Sequence, residues 1–515
     1  MHNLAFYSNY KFKKMKKQLP ILLSILMPCL LNAQIDKNLE SVFKEFQKAI
    51  TQQFISFSDS INSVFVQALE EQWEEFQVFE KIPAPVKPNP KTPPIADTLK
   101  SKPVISVEIP VKEVVPPQKE ESKYKKEEED QPHKPKEEPK PKFPEEPSIF
   151  FNHKEIRLWN RTYKIPHDIS LENLSLLNTQ EKSVAEFWRS LSQTDYKSVI
   201  DAIAKIQNQC DLNIYGLVLL CREYSIAVWA NKTQNFQNEA TILLVFLLNQ
   251  FSLDAKIIRT VNRLEAVLHS PQTVYTVSFV ELQGKPYYFL FSTIEPSSVY
   301  TYKINFSEKL TGLDFNVYKP VSISNVLIDK ELVIKKLNKK IRLTYSQSAI
   351  EYYKNYPQVD ADIYTNAIVS DVFRNSVIHQ FNPLLAGKTE YEAVDILLNF
   401  MQYAFEYQTD DIQFGREKWN FCEENLYYPF NDCDDRAILF SYLVRELLDL
   451  DVALILFSDH MSAAVRFNIP ITGDYLTIDG QKYIICDPTY IGSTIGMNPP
   501  KYKNEQAEIV RTKKI

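Results

Sequence analysis

The chain has 515 residues, 44% of them hydrophobic and 24% charged, with a formal net charge of -6. That length holds roughly three domains at ~150 residues each, and the composition is that of an ordinary globular protein. No basic patch is interleaved with aromatics, so no nucleic acid partner is expected; the chain holds only 9 glycines and neither a GxGxxG nor a GxxxxGK[ST] motif, which argues against a phosphate-cradling loop.

Residues 1–33 read as a secretory signal. Lys11, Lys13, Lys14, Lys16 and Lys17 form a basic block, "LPILLSILMPCLL" from Leu19 to Leu31 is apolar, and cleavage is expected after Ala33. The apolar run is shorter than the ~20 residues of a membrane span, and no later segment supplies one, so no stable membrane span is expected after cleavage. The protein is therefore expected in the periplasm or outside the cell. Cys29 as a lipid anchor is the other reading, but Met27 and Pro28 are bulky and stiff where small residues are expected. Once 1–33 is removed, Cys210, Cys221, Cys422, Cys433 and Cys486 remain. An odd count in an exported protein implies a free thiol or an intermolecular bond.

Residues 34–80 read as an amphipathic helical segment. Phe43, Phe46, Ile50, Phe54, Phe57, Ile61, Phe65, Leu69, Trp73 and Phe76 recur at steps of three and four. This stripe is expected to pack against the main body or a partner, with an envelope protein as one candidate. The polar face is not rich in Lys and Arg, which argues against a membrane-surface helix. From 81 to 148 the composition changes: 16 of the 30 prolines fall here, ending in a dense Lys/Glu run. Proline removes backbone donors and dense charge prevents a core, so a disordered or extended linker is expected.

Globular sequence resumes at 149, and a repeat is visible. "EATILLVFLLNQFSLDAKII" (Glu239 to Ile258) parallels "DRAILFSYLVRELLDLDVALI" (Asp435 to Ile455), an apolar helix entering a strand in each case. Two related α+β units are expected, 149–340 and 341–515, with two generic helix-to-strand units as the other reading.

The second unit carries the chemistry. The residues from Ala437 to Leu448 are apolar on nearly every face, which marks a buried helix. With Asn431 or Asp432 as N-cap, Cys433 falls in the first turn, where free amides and the helix dipole favour a thiolate. Asp434 and Asp435 oppose this unless they point away or pair with Arg436. His460 follows in "LFSDHMSAAVRFNI", at the start of a strand. "DYLTIDGQKYIICDPTY" reads as a hairpin around Asp479-Gly480, with Asp487 just past its second strand. Neighbouring strands can then bring Asp487 beside His460. Cys422 and Cys486 read as packing or a disulfide, and Glu423 and Glu424 as solvated charge. No HExxH or paired CxxC marks a metal site, and no cofactor is expected.

The order of a cysteine at a helix start, a histidine at a strand and an aspartate past the next strand resembles the transglutaminase-like superfamily, the papain-like cysteine enzymes, in an exported bacterial subgroup. "NDCDDRAILFSYLVREL", "DHMSAAVRF" and "KYIICDPTY" are similar to its three motifs; Asn431 stands where the family often has glycine. The resemblance implies an α+β catalytic domain, a nucleophile helix packed on an antiparallel sheet, preceded by a degenerate α+β unit. It implies Cys433 as nucleophile, His460 as general base and acid, and Asp487 as its orienter, acting on amide bonds of a peptide or protein substrate. Hydrolysis is favoured over transfer to an amine, because hydrolysis is the commoner expectation for bacterial relatives. In the first unit the alignment puts Gln237, Gln272 and Phe291 or Ser292 at the three positions, leaving a scaffold or recognition unit. The other reading is a catalytically silent protein of this fold that binds or assembles at the envelope.

Overall fold

The computed structural model describes residues 60–85, 92–96, 106–112, 152–230, 236–261, 263–295 and 297–513. The chain divides into two units, Met1–Val64 and Phe65–Ile515. Of the first, only residues 60–64 are described, and they are helical. The expected signal at 1–33 and the expected helix over 36–59 lie outside the described residues. Among the described residues no helix is long and apolar enough to cross a membrane.

The second unit is a mixed α+β body. Helix continues to residue 70, and the chain then breaks and re-forms as the strand Glu74–Phe79. This corrects the helix expected through residue 80. Phe76 fits a helical step, but Val78 repeats it at the strand period of two. Val78 is 4% exposed, and the strand closes a six-stranded barrel between Phe279–Leu282 and Ser298–Thr301.

Two helix-and-sheet assemblies repeat within this unit. In the first, the helix Gln237–Gln250 leads into the hairpin Ala255–Arg259 and Leu264–His269, then the hairpin Phe279–Leu282 and Lys285–Tyr288, then the strand Ser298–Thr301. In the second, the helix Cys433–Leu448 leads into Asp451–Leu456 and Met461–Arg466, then Tyr475–Ile478 and Gln481–Ile485, then Glu508–Arg511. In chain order, both sheets run third, fourth, second, first, fifth, and the strand 74–79 is the extra member that closes the first into a barrel. Both second hairpins turn through two residues of positive φ, Gln283 and Gly284 (55° and 75°) and Asp479 and Gly480 (50° and 73°). That geometry matches the twist of the flanking strands and asks for glycine or a small polar residue.

The two halves do not have separate interiors. A single apolar cluster takes in Trp188, Phe246 and Leu268 from one and Phe400, Phe440 and Ile484 from the other. Asn213 caps the helix Ile214–Trp229 by accepting from Gly216 N–H (3.2 Å), and its Nδ2 donates to Tyr356 Oη (2.8 Å). Tyr275 donates to Asp360 (3.0 Å).

Part of the expected linker is built into the fold. Ala96 N–H donates to Ile491 O, and Ile491 N–H to Pro94 O (2.8 Å each). Ile109 N–H donates to Tyr475 O (2.8 Å), and Ala507 N–H to Pro110 O (3.0 Å). Ile109, 1% exposed, packs with Ala453, Ile455, Ala464, Leu476 and Ile485 on one face of the second sheet. Proline lacks a donor but keeps its carbonyl, so a Pro-rich segment can still pair with loop edges, and one apolar residue fixes it by burial. The rest of 81–148 lies outside the described residues.

Candidate active site

The helix Cys433–Leu448 is buried from Cys433 to Arg445, which fixes its first turn in place. Asp432 is the N-cap, with no side-chain cap bond. Cys433, His460 and Asp487 are each 0% exposed. His460 closes the turn between two strands, where its carbonyl accepts from Phe457 N–H (2.8 Å). The next amide, Met461 N–H, donates to Cys433 Sγ (3.4 Å). The thiol therefore lies against the backbone junction of His460 and Met461.

His460 Nε2 is 2.8 Å from Asp487 Oδ2. Asp487 Oδ1 accepts from the amides of Thr489 (2.9 Å) and Tyr490 (3.1 Å), so the carboxylate is anchored on one side and aimed at the imidazole on the other. A carboxylate at this position accepts from Nε2–H, and in the neutral imidazole with that tautomer the lone pair is on Nδ1. His460 Nδ1 is buried and has no hydrogen-bond partner. The ring of Tyr502 stacks on the imidazole, centroids 5.0 Å apart and 8° from parallel, and Tyr502 Oη donates to Asp459 (3.0 Å). Tyr407 also bears on the site: its buried hydroxyl has no partner, and the negative charge of a Cys433 thiolate contributes to raising it after burial does. Neither tyrosine is marked by a motif; each is separated in sequence from the three expected residues.

The thiol itself departs from expectation. Burial, then the charge of Asp432, pushes Cys433 well above the usual thiol range. In this closed arrangement the helix start does not offset desolvation. Burial and then Asp432 likewise push the Asp434 and Asp435 carboxyls up. Neither pairs with Arg436, whose Nη2 donates to Phe405 O (2.8 Å). Asp435 instead accepts from Asn420 N–H and Nδ2 (2.8 Å each).

Other expectations change too. All five cysteines after residue 33 are free and buried, so Cys422 and Cys486 form no disulfide. Glu423 and Glu424 are 3% and 0% exposed, not solvated. Glu423 accepts from Ser346 N–H, Ser370 N–H and Ser370 Oγ (2.8–2.9 Å), the N-cap residues of two helices. Glu424 pairs with Lys418 (2.9 Å). Burial is possible because every donor is local and fixed.

No family model, curated protein or solved structure matches the chain. The chain's internal repeat supplies the comparison instead. Thr260 N–H donates to Arg263 O (2.9 Å), as Phe457 does to His460. Leu264 N–H donates to Asn238 Oδ1 (2.8 Å), as Met461 does to Cys433 Sγ. Phe289 N–H donates to Ser278 O, as Ile485 does to Asp474 (3.0 Å each). The counterparts of Cys433, His460 and Asp487 are thus Asn238, Arg263 and Phe291. This replaces Gln237 and Gln272 in the sequence alignment; Gln272 bonds Asp314 (2.9 Å) elsewhere. The helix, its hairpin and the amide contact occur without thiol, imidazole or carboxylate, so the fold does not require those groups.

Proposed function

We propose that the chain is an exported, transglutaminase-like thiol enzyme acting on amide bonds of peptides or proteins, with hydrolysis favoured over amine transfer. The observation that carries this reading is the His460–Asp487 bond of 2.8 Å beside the Met461 amide that holds Cys433 Sγ. In the proposed cycle His460 Nδ1 takes the thiol proton as Sγ attacks the carbonyl carbon. The same nitrogen returns that proton to the leaving amine, and water then cleaves the thioester. Asp487 holds the imidazole in the tautomer that leaves Nδ1 basic. Entry of a substrate requires the site to open, and Tyr502 is the group to move, because its ring covers the imidazole.

A second reading is a silent binding or envelope-assembly protein. It is favoured by the complete burial of the three side chains and the raised thiol. The two readings separate on a peptide library incubated with the wild type and with Cys433→Ala. New amino termini or released ammonia from the wild type alone support the enzyme; incorporation of a labelled amine points to transfer. Equal backgrounds from both proteins would sink the catalytic reading.

A further inference from the structure

The acids around the helix start are not explained by the triad. Asp410, Asp432 and Asp435 bring carboxylate oxygens within 4.8 Å of one another, Asp410, Glu417 and Asp434 do the same, and Asp432 and Asp434 lie within that distance of each other and of Cys433 Sγ. A cluster alone proves little, since acids often gather on surfaces. Here Asp410 is 1% exposed and Asp432, Asp434 and Asp435 are 0% exposed. Moreover, Asp410 Oδ1 has no hydrogen-bond partner, and the carboxyls of Asp432 and Asp434 face each other and meet no other side-chain donor. Buried carboxylates gathered this closely are costly unless a cation meets them.

Lys418 Nζ is engaged with Asn420 (2.8 Å) and Glu424 (2.9 Å). Arg436 donates through Nη2 to Phe405 O and forms no hydrogen bond with these acids, while its buried Nε and Nη1 have no partner. Among the described residues none of Asp410, Asp432, Asp434 and Asp435 forms an ion pair. Two of the acids are pinned from behind: Asp410 Oδ2 accepts from Lys418 N–H (2.7 Å), and Asp435 is held by Asn420. The remaining oxygens of Asp410 and of the helix-start acids converge. The first repeat shows that the fold does not demand this arrangement. Its helix start has Gln237, Glu239 and Ala240 at the positions of Asp432, Asp434 and Asp435, and Glu239 Oε1 accepts from Leu176 N–H (3.0 Å).

We infer that Asp410, Asp432 and Asp434, flanked by Glu417 and Asp435, bind one calcium-type divalent cation beside the thiol. Oxygens at about 2.4 Å from a shared ion lie within about twice that of each other, which agrees with the observed spread. An all-carboxylate set suits a hard cation, while zinc would ask for imidazole or more than one sulfur. The site does not depend on the thiol being catalytic.

The test uses the full mature chain stripped with EDTA, with and without Cys433→Ala. Calcium chloride titrated by calorimetry gives one ion per chain in both backgrounds and a higher melting temperature at saturation. Asp434→Asn and Asp432→Asn weaken binding by on the order of 10–100-fold. Both fold without calcium at least as well as the wild type, because each removes a buried charge. Absence of heat and of any melting shift would overturn the site. So would calcium binding unchanged in both variants, or binding of zinc alone that disappears in Cys433→Ala.

Discussion

At the scale of single residues, the proposed chemistry depends on how His460 is held. Asp487→Asn keeps the shape but presents an NH2 to Nε2, which moves the ring proton to Nδ1 and removes the base. The proposed amide cleavage then falls by on the order of 10²–10⁴-fold, as it does for His460→Ala, while circular dichroism stays that of the wild type. Unchanged turnover in Asp487→Asn would show that His460 is not the base. The identities of Cys433, His460 and Asp487 were legible because their residue types and spacing are distinctive. The ring that covers His460 was not, since Tyr502 lies 42 residues past it (502 minus 460) and reaches it only through tertiary packing.

At the scale of elements, Glu423 couples two helix starts. Its carboxylate satisfies the amides of Ser346 and Ser370. Glu423→Ala leaves buried donors unpaired and is expected to cost about 3 kcal/mol, read as a lower urea midpoint at unchanged slope. A loss under about 0.5 kcal/mol, the range of an ordinary surface change, would restore the solvated reading of this residue. Helices and hairpins of the second assembly were legible from periodicity and from Asp479-Gly480. The strand Glu74–Phe79 was not, because "EEFQVF" carries too few apolar residues to separate a period of two from one of three to four. It becomes a strand because a barrel edge is waiting for it, a contact distant in sequence. Likewise Ile109 is one apolar residue among prolines and charges, and only the apolar face of the second sheet gives it a place. Ile109→Ala should cost about 2–5 kcal/mol, and a neutral result in thermal melts would mean the segment is not seated there.

At the scale of the molecule, one apolar cluster joins the two halves, from Trp188 and Phe246 to Phe440 and Ile484. Separate chains of 149–340 and 341–515 are therefore expected to be unfolded or insoluble, while the joined protein melts in one transition. Two independent melts would show that the halves are separable domains. Lys256 tests the interior directly. It is 2% exposed, and burial lowers it to about 8, with Nζ donating to Tyr302 O (3.4 Å) and Ile304 O (3.3 Å). The unfolded lysine keeps its proton to ~10.4. Between about 8 and that value the unfolded chain binds more protons, so stability from this group rises with pH across the window and its cost is greatest below about 8. Lys256→Met should raise stability by ~1–3 kcal/mol at pH 7, with the gain shrinking by pH 10. A gain that persists unchanged at pH 10 would exclude charge burial as its cause. The repeat itself was partly legible in sequence through its two apolar helices. Gln237 for Asn238 arose because helices of 14 and 16 residues align only with a gap that sequence does not locate. Gln272 for Arg263 arose because Phe279 opens the third strand of its assembly, while Phe467 follows the second strand of the other.

The central claim is that Cys433 is a nucleophile and not core filler, and the other free thiols provide internal controls. Iodoacetamide at pH 6, followed by mass mapping of Cys210, Cys221, Cys422, Cys433 and Cys486, measures this in one native sample. The account predicts that Cys433 is alkylated first, and that His460→Ala slows it to the rate of the other four. Alkylation of Cys433 no faster than those four in the native wild type would contradict it.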